Sequence, residues 1–105
     1  MVQKLKIPPH DASKDLIIEV DTLAPEAELI AGARLSVELI AKDILFGEGP
    51  VWDKRKKQFF FTDIVGDTIW KWSQASGQEV VLSPSVHANG MTLDLEGRLL
   101  VAGWG

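Results

Sequence analysis

The feature that most constrains the fold is a hairpin written twice. Gly49-Pro50-Val51-Trp52-Asp53 is answered 41 residues later by Gly90-Met91-Thr92-Leu93-Asp94. A short polar turn follows each aspartate, Lys54–Gln58 in one case and Leu95–Arg98 in the other. An apolar triplet follows each turn, Phe59-Phe60-Phe61 and Leu99-Leu100-Val101, now at an offset of 40. One residue has been lost or gained in the turn, where a change of length costs least. A two-stranded unit recurring at about 40–45 residues matches the period of a β-propeller blade. In the first copy Thr68–Trp72 and Glu79–Leu82 supply two further strands, which predicts a four-stranded blade.

The rest of the pattern agrees with an all-β reading. From Leu35 onward, short runs rich in β-branched and aromatic residues alternate with turn signals. Strands are expected over Leu35–Ala41, Pro50–Trp52, Phe59–Asp63, Thr68–Trp72, Glu79–Leu82, Met91–Leu93 and Leu99–Ala102. The gaps are too short for helical crossovers between parallel strands, so the natural arrangement is an antiparallel meander. Residues 1–33 differ in texture. Pro8-Pro9 and Pro25 punctuate them, and only Thr22–Ala33 suggests a short helix, with Asp21 or Thr22 near its start. The chain therefore divides into an irregular N-terminal arm, 1–33, and a β region, 34–105.

Composition excludes several classes. With 46% hydrophobic residues the chain can build a core, and wholesale disorder is a poor description. It has no cysteine, which removes disulfides, thiolate metal sites and cysteine nucleophiles. Eleven basic against fifteen acidic residues leave a net charge of −4, unlike a nucleic-acid binder. No apolar run approaches the ~20 residues of a membrane span, and no secretory signal is visible, so the expected location is cytoplasmic, with neither membrane nor nucleic acid as partner.

The repeat gives two polar residues their meaning. Glu48 and Asn89 hold the same place, immediately before the glycine that opens each innermost strand. Inner strands of a propeller line its central channel, so residues at their entrance converge toward the axis. A carboxylate and an amide there provide hard oxygen donors for a divalent cation or a polar ligand. In isolation Asn89-Gly90 is an ordinary turn pair, and Glu48 before Gly-Pro an ordinary solvated residue. Their equivalence in the repeat is what raises them to site candidates.

At these residues the chain resembles a known family. Phe46-Gly47-Glu48-Gly49-Pro50-Val51-Trp52-Asp53 is similar to the first inner strand of the SMP-30/gluconolactonase/luciferin-regenerating family. Phe60-Phe61-Thr62-Asp63-Ile64 and Ile69-Trp70-Lys71-Trp72 are similar to its next strands. His87-Ala88-Asn89-Gly90-Met91-Thr92-Leu93-Asp94, with Gly97-Arg98-Leu99, resembles the start of its second blade. The resemblance covers about residues 35–105, without a contribution from 1–33. It implies a six-bladed propeller, of which this chain holds about one and a half blades, with one divalent metal ion, calcium or zinc, in the channel. The activity it implies is hydrolysis of lactones. Carried over by position, Glu48 matches the family's metal-binding glutamate, and Asn89 an asparagine that contacts substrate or metal-bound water. His87 stands where many relatives place a substrate-facing side chain, often arginine. Gly103-Trp104-Gly105 departs from the Glu-His-Gly frequent in the gluconolactonase branch.

Other conspicuous residues read as structure. Trp52, Trp70, Trp72 and Phe59–Phe61 are expected in blade core and blade-to-blade packing. Lys54–Lys57 fill a hairpin turn, His10 lies on an extended surface segment, and Asp63 and Asp67 are turn residues without the spacing of a calcium loop. No Gly-x-Ser-x-Gly elbow is present. The remaining metal ligands and any general base are expected outside this chain, in the rest of a propeller continuing beyond Gly105. A non-catalytic propeller that binds a metal or sugar-like ligand is the alternative reading.

Overall fold

The structure, a computed structural model, describes residues 16–32 and 34–104. The expectations for Pro8-Pro9 and His10 fall outside them. The chain forms two compact units, Met1–Leu39 and Ile40–Gly105.

The first unit holds more regular structure than its sequence suggests. Strand β1 (Leu16–Glu19) and strand β2 (Arg34–Val37) pair antiparallel, with Leu16 opposite Val37 and Glu19 opposite Arg34. The strand expected over Leu35–Ala41 is thus shorter, and its partner is β1. Between the two lies helix α1 (Pro25–Ala31). Neither Asp21 nor Thr22 caps it. Pro25 sets the start instead, because its fixed φ suits the first helical position, where a missing N–H costs nothing. Glu26 and Glu28 stabilise that first turn, and Gly32, at φ 65, ends the helix by donating to the Glu28 carbonyl.

In the second unit β3 (Gly47–Asp53), β4 (Gln58–Asp63), β5 (Thr68–Ser73) and β6 (Gly77–Leu82) form one four-stranded antiparallel sheet in sequence order. Strands β7 (Ala88–Leu93) and β8 (Leu99–Gly103) form a two-stranded sheet of their own. This is one complete propeller blade and the opening hairpin of a second, as the repeat predicts.

The register carries the repeat through residue by residue. Gly47 faces Asp63 and Ala88 faces Gly103; Val51 faces Phe60 and Thr92 faces Leu100; Trp52 faces Phe59 and Leu93 faces Leu99. In both copies the pairing slips near the start of the inner strand, between Glu48 and Val51 and between Ala88 and Gly90. Both turns are closed by the same device. Asp53 Oδ1 accepts from the backbone N–H groups of Arg55 and Lys56, and Asp94 Oδ1 from those of Glu96 and Arg98.

The core is centred on Ile69, Thr62 and Ala88, with Phe60 and Phe61 also buried. Phe59 stacks on Phe61 at 5.6 Å between ring centroids. Trp52 departs from expectation and is 54% exposed. Trp52, Phe59 and Trp72 are cross-strand neighbours and so share one face of the sheet, and Trp52 lies on its terminal strand, β3, with a partner on one side only.

Candidate functional site

Glu48 and Asn89 lie inside their inner strands, at the register slips, and not in the loops before them. Strand β3 pairs with Thr62 at this point, and the buried Thr62 hydroxyl donates to the Glu48 carbonyl oxygen at 3.1 Å. The main chain of Glu48 is therefore anchored while its side chain is exposed. Gly49 next to it has φ 57, and a Cβ there would collide with the carbonyl oxygen of Asn89. Only glycine satisfies both conditions, a left-handed backbone and direct contact with the neighbouring inner strand. The structure thus brings the two predicted oxygen donors onto touching backbone segments, and the Asn89 side chain is exposed as well.

His87 precedes β7 on an irregular turn. Its backbone N–H donates to Asp67 Oδ1 at 2.7 Å, its Nδ1 stands 3.3 Å from the Ile64 carbonyl oxygen, and its ring lies 5.9 Å from that of Trp104. Trp104, at the position where the gluconolactonase branch often has histidine, packs against this candidate residue.

The sequence signals for Asp63 and Asp67 stopped at turn chemistry, and the structure gives both a longer reach. Asp63, 3% exposed, accepts from the N–H groups of Leu45, Phe46 and Gly66, each at 2.9 Å. It thereby fixes the segment entering β3, immediately before Glu48. Burial pushes its carboxyl up, but the backbone donors from Leu45, Gly66, Phe46 and Val65 outweigh this and hold it below the usual carboxylate range. Asp67 is also held low, chiefly by the His87 N–H and, against some desolvation, by the hydroxyl and N–H of Ser85. Their partners lie 17 to 20 residues away in sequence, apart from the neighbouring Val65 and Gly66, and no local pattern points to the distant ones.

The donors fit a hard divalent cation in kind and fall short in number. Glu48 offers an anionic oxygen and Asn89 a neutral one, whereas calcium takes about six to eight oxygens and zinc about four ligands. Among the described residues no three His, Asp or Glu side chains stand together as a metal site. Among them also, no helix is long and apolar enough to cross a membrane.

Comparison with known proteins bears on the same residues. The chain is 30% identical to a gluconolactonase of Zymomonas mobilis over 97 residues, covering 80% of this chain and 27% of that protein. Because that share exceeds residues 34–105, the match reaches into the N-terminal zone, which the motif resemblance did not. It is 29% identical to regucalcin of Gallus gallus over 68 residues, or 64% of the chain and 23% of that protein. Among solved structures, a gluconolactonase from Xanthomonas campestris superposes with a TM-score of 0.54 at 25% identity, over 57% of this chain and 20% of its own. A putative gluconolactonase superposes with a TM-score of 0.55 at 28% identity, over 61% and 22%. The chain spans about a quarter of the curated relatives it matches. A family model described as an SMP-30/gluconolactonase/LRE-like region matches residues 46–105. That match runs through both copies of the hairpin and the contact between Gly49 and Asn89, and the chain belongs to the SMP-30/gluconolactonase/LRE-like family.

Proposed function

We propose that the protein carrying this chain hydrolyses lactones with the help of one divalent metal ion, calcium or zinc, and that this chain supplies part of the site. The observation that carries the reading is the contact of the Glu48-Gly49 backbone with Asn89, which sets an exposed carboxylate and an exposed amide at the mouths of adjacent inner strands. Two proteins named gluconolactonase, one matched in sequence and one in structure, support the substrate class. A bound divalent ion supplies Lewis acidity toward a lactone carbonyl and a lowered pKa for water.

Glu48 is the anionic ligand of that ion. Asn89 presents both an N–H donor, suited to charge developing on the carbonyl oxygen, and a C=O acceptor for substrate hydroxyls. His87 is a substrate-facing hydrogen-bonding group. The further ligands and the general base come from residues outside this chain.

Glu48→Gln tests the reading in the protein that contains this chain. Removal of one ligand charge is expected to weaken calcium or zinc binding at least ~tenfold in titration calorimetry, since ligand charge tunes affinity. Hydrolysis of gluconolactone, followed by base uptake at constant pH, should fall with it. A Glu48→Gln protein with unchanged metal affinity and unchanged turnover removes Glu48 from the site.

A further inference from the structure

Val86 and His87 are consecutive non-glycine residues in the left-handed region, at φ 60 and φ 50. For a β-branched residue such as Val86 this is a genuine outlier, and it persists only where the surroundings hold it. What holds it comes from the β4–β5 turn of the neighbouring blade. Asp67 Oδ1 accepts from the Ser85 N–H at 3.1 Å, the Ser85 hydroxyl at 3.0 Å and the His87 N–H at 2.7 Å. The Ser85 N–H is shared with the Asp67 carbonyl oxygen at 2.9 Å. The buried Ser85 hydroxyl in turn accepts from the N–H of Ala88, the residue before Asn89.

The other copy of the hairpin shows why the hold comes from outside. There the counterpart of His87 is Phe46, and its N–H is bound by Asp63 from the same blade. The counterpart of Asp63 in the second copy is Gly103, which has no carboxylate; a Cβ there would stand 2.8 Å from the Val86 carbonyl oxygen. Asp67 takes over the task across the blade boundary.

We propose that Asp67 is a positioning residue of the lactone site, fixing the 85–88 turn so that His87 and Asn89 face substrate in one arrangement. The assignment rests on the lactonase reading given above. The histidine ring is part of that arrangement. A carbonyl oxygen only accepts, so in the contact with Ile64 it is Nδ1 that donates.

Asp67→Ala and Asp67→Asn in the complete protein test this, with two readouts. Asn retains an Oδ1 acceptor for the Ser85 and His87 donors. With gluconolactone as substrate, Asp67→Ala should raise KM on the order of tenfold with a smaller change in kcat, and Asp67→Asn should stay within about threefold of the parent. In long-range 1H–15N spectra without substrate, the His87 ring should carry its proton on Nδ1 in the parent and in Asp67→Asn, and lose that preference in Asp67→Ala. Should Asp67→Ala fail to fold, Ser85→Ala is expected to move both readings in the same direction. Parent-like KM and an unaltered His87 ring signature in Asp67→Ala, or in Ser85→Ala where that must stand in, overturn the proposal. Equal KM losses in Asp67→Ala and Asp67→Asn also overturn it, since they would make Asp67 a charge and not a scaffold. A parent protein that hydrolyses no lactone defeats the lactonase reading by itself; the ring spectra then still decide whether Asp67 orders the turn.

Discussion

Asp63 does the most for its size in this chain. One carboxylate satisfies three backbone donors, two of them on the segment that delivers Glu48. In Asp63→Asn the amide NH₂ necessarily faces at least one N–H that the carboxylate now accepts, and we expect a loss of about 1–3 kcal/mol in chemical denaturation. The same geometry sets the response to acid. Asp53, Asp63, Asp67 and Asp94 all have carboxyls held below their ordinary value, so each binds a proton more readily in the unfolded chain. Their stabilisation is complete above the unfolded pKa of about 3.9 and disappears as pH falls through the lower folded values. Melting temperatures should therefore decline below about pH 4, and less steeply in Asp63→Asn, which has one carboxyl fewer to protonate. An acid limb of identical slope in the variant would show that Asp63 is not among the groups responsible. At this scale the local half of each role was legible, since Asp53 and Asp94 stand at the ends of strands that a short turn must follow. The distant half was not, because Leu45 and His87 meet Asp63 and Asp67 only once β3, β4 and β7 are in place.

Elements built from neighbouring residues were the easiest to read. A hairpin needs only an alternating strand, a turn and a second strand, and the chain writes this sequence twice with the same end residue, Asp53 and Asp94. The β1–β2 pair gives no such signal, because a helix and not a turn joins its strands, and pairing of this kind leaves no short-range pattern. Gly49 lies between these cases: Gly-Pro marks a strand edge in sequence, but the reason for glycine is the Asn89 carbonyl on another strand. Comparison with Gly77 separates the two demands on such a residue. Gly77 also has a left-handed backbone, φ 68, but no atom lies within 4 Å of where its Cβ would be. Gly77→Ala should cost about 1–2 kcal/mol, the price of the conformation alone. Gly49→Ala adds a collision with main chain that cannot swing aside, so it should cost clearly more and weaken metal binding together with stability. Equal losses for the two variants in denaturant titrations would mean that β3 and β7 do not depend on their contact at Gly49.

A chain spanning 20% to 27% of its relatives' lengths presents one finished sheet and one unfinished one, and their stabilities should differ accordingly. Strands β4 and β5 each have hydrogen-bonded neighbours on both sides, and between them carry Phe60, Phe61, Thr62 and Ile69, all buried. Strand β8 has β7 alone, and its Leu100 and Val101 are exposed. Two strands by themselves are at best marginal in water. What keeps β7 in place is burial of Ala88, the hydrogen bond of its N–H to the Ser85 hydroxyl and the fit of Asn89 against Gly49, all at the end of the strand nearest the candidate site. In the 105-residue chain, amide exchange should then be slow at Phe60–Thr62 and Ile69–Trp70, and at least ~100-fold faster at Leu100–Ala102, which can open locally without disturbing the larger sheet. In the complete protein, where a blade of this family would add strands beside β8, the Leu100–Ala102 amides should slow toward the rates of β4. If β8 is as well protected as β4 in the 105-residue chain, the second hairpin draws its stability from contacts other than a completed blade. Asn89 would then be held against Gly49 without the rest of the ring, and only the further ligands from outside this chain would separate the metal affinity of the short chain from that of the whole protein.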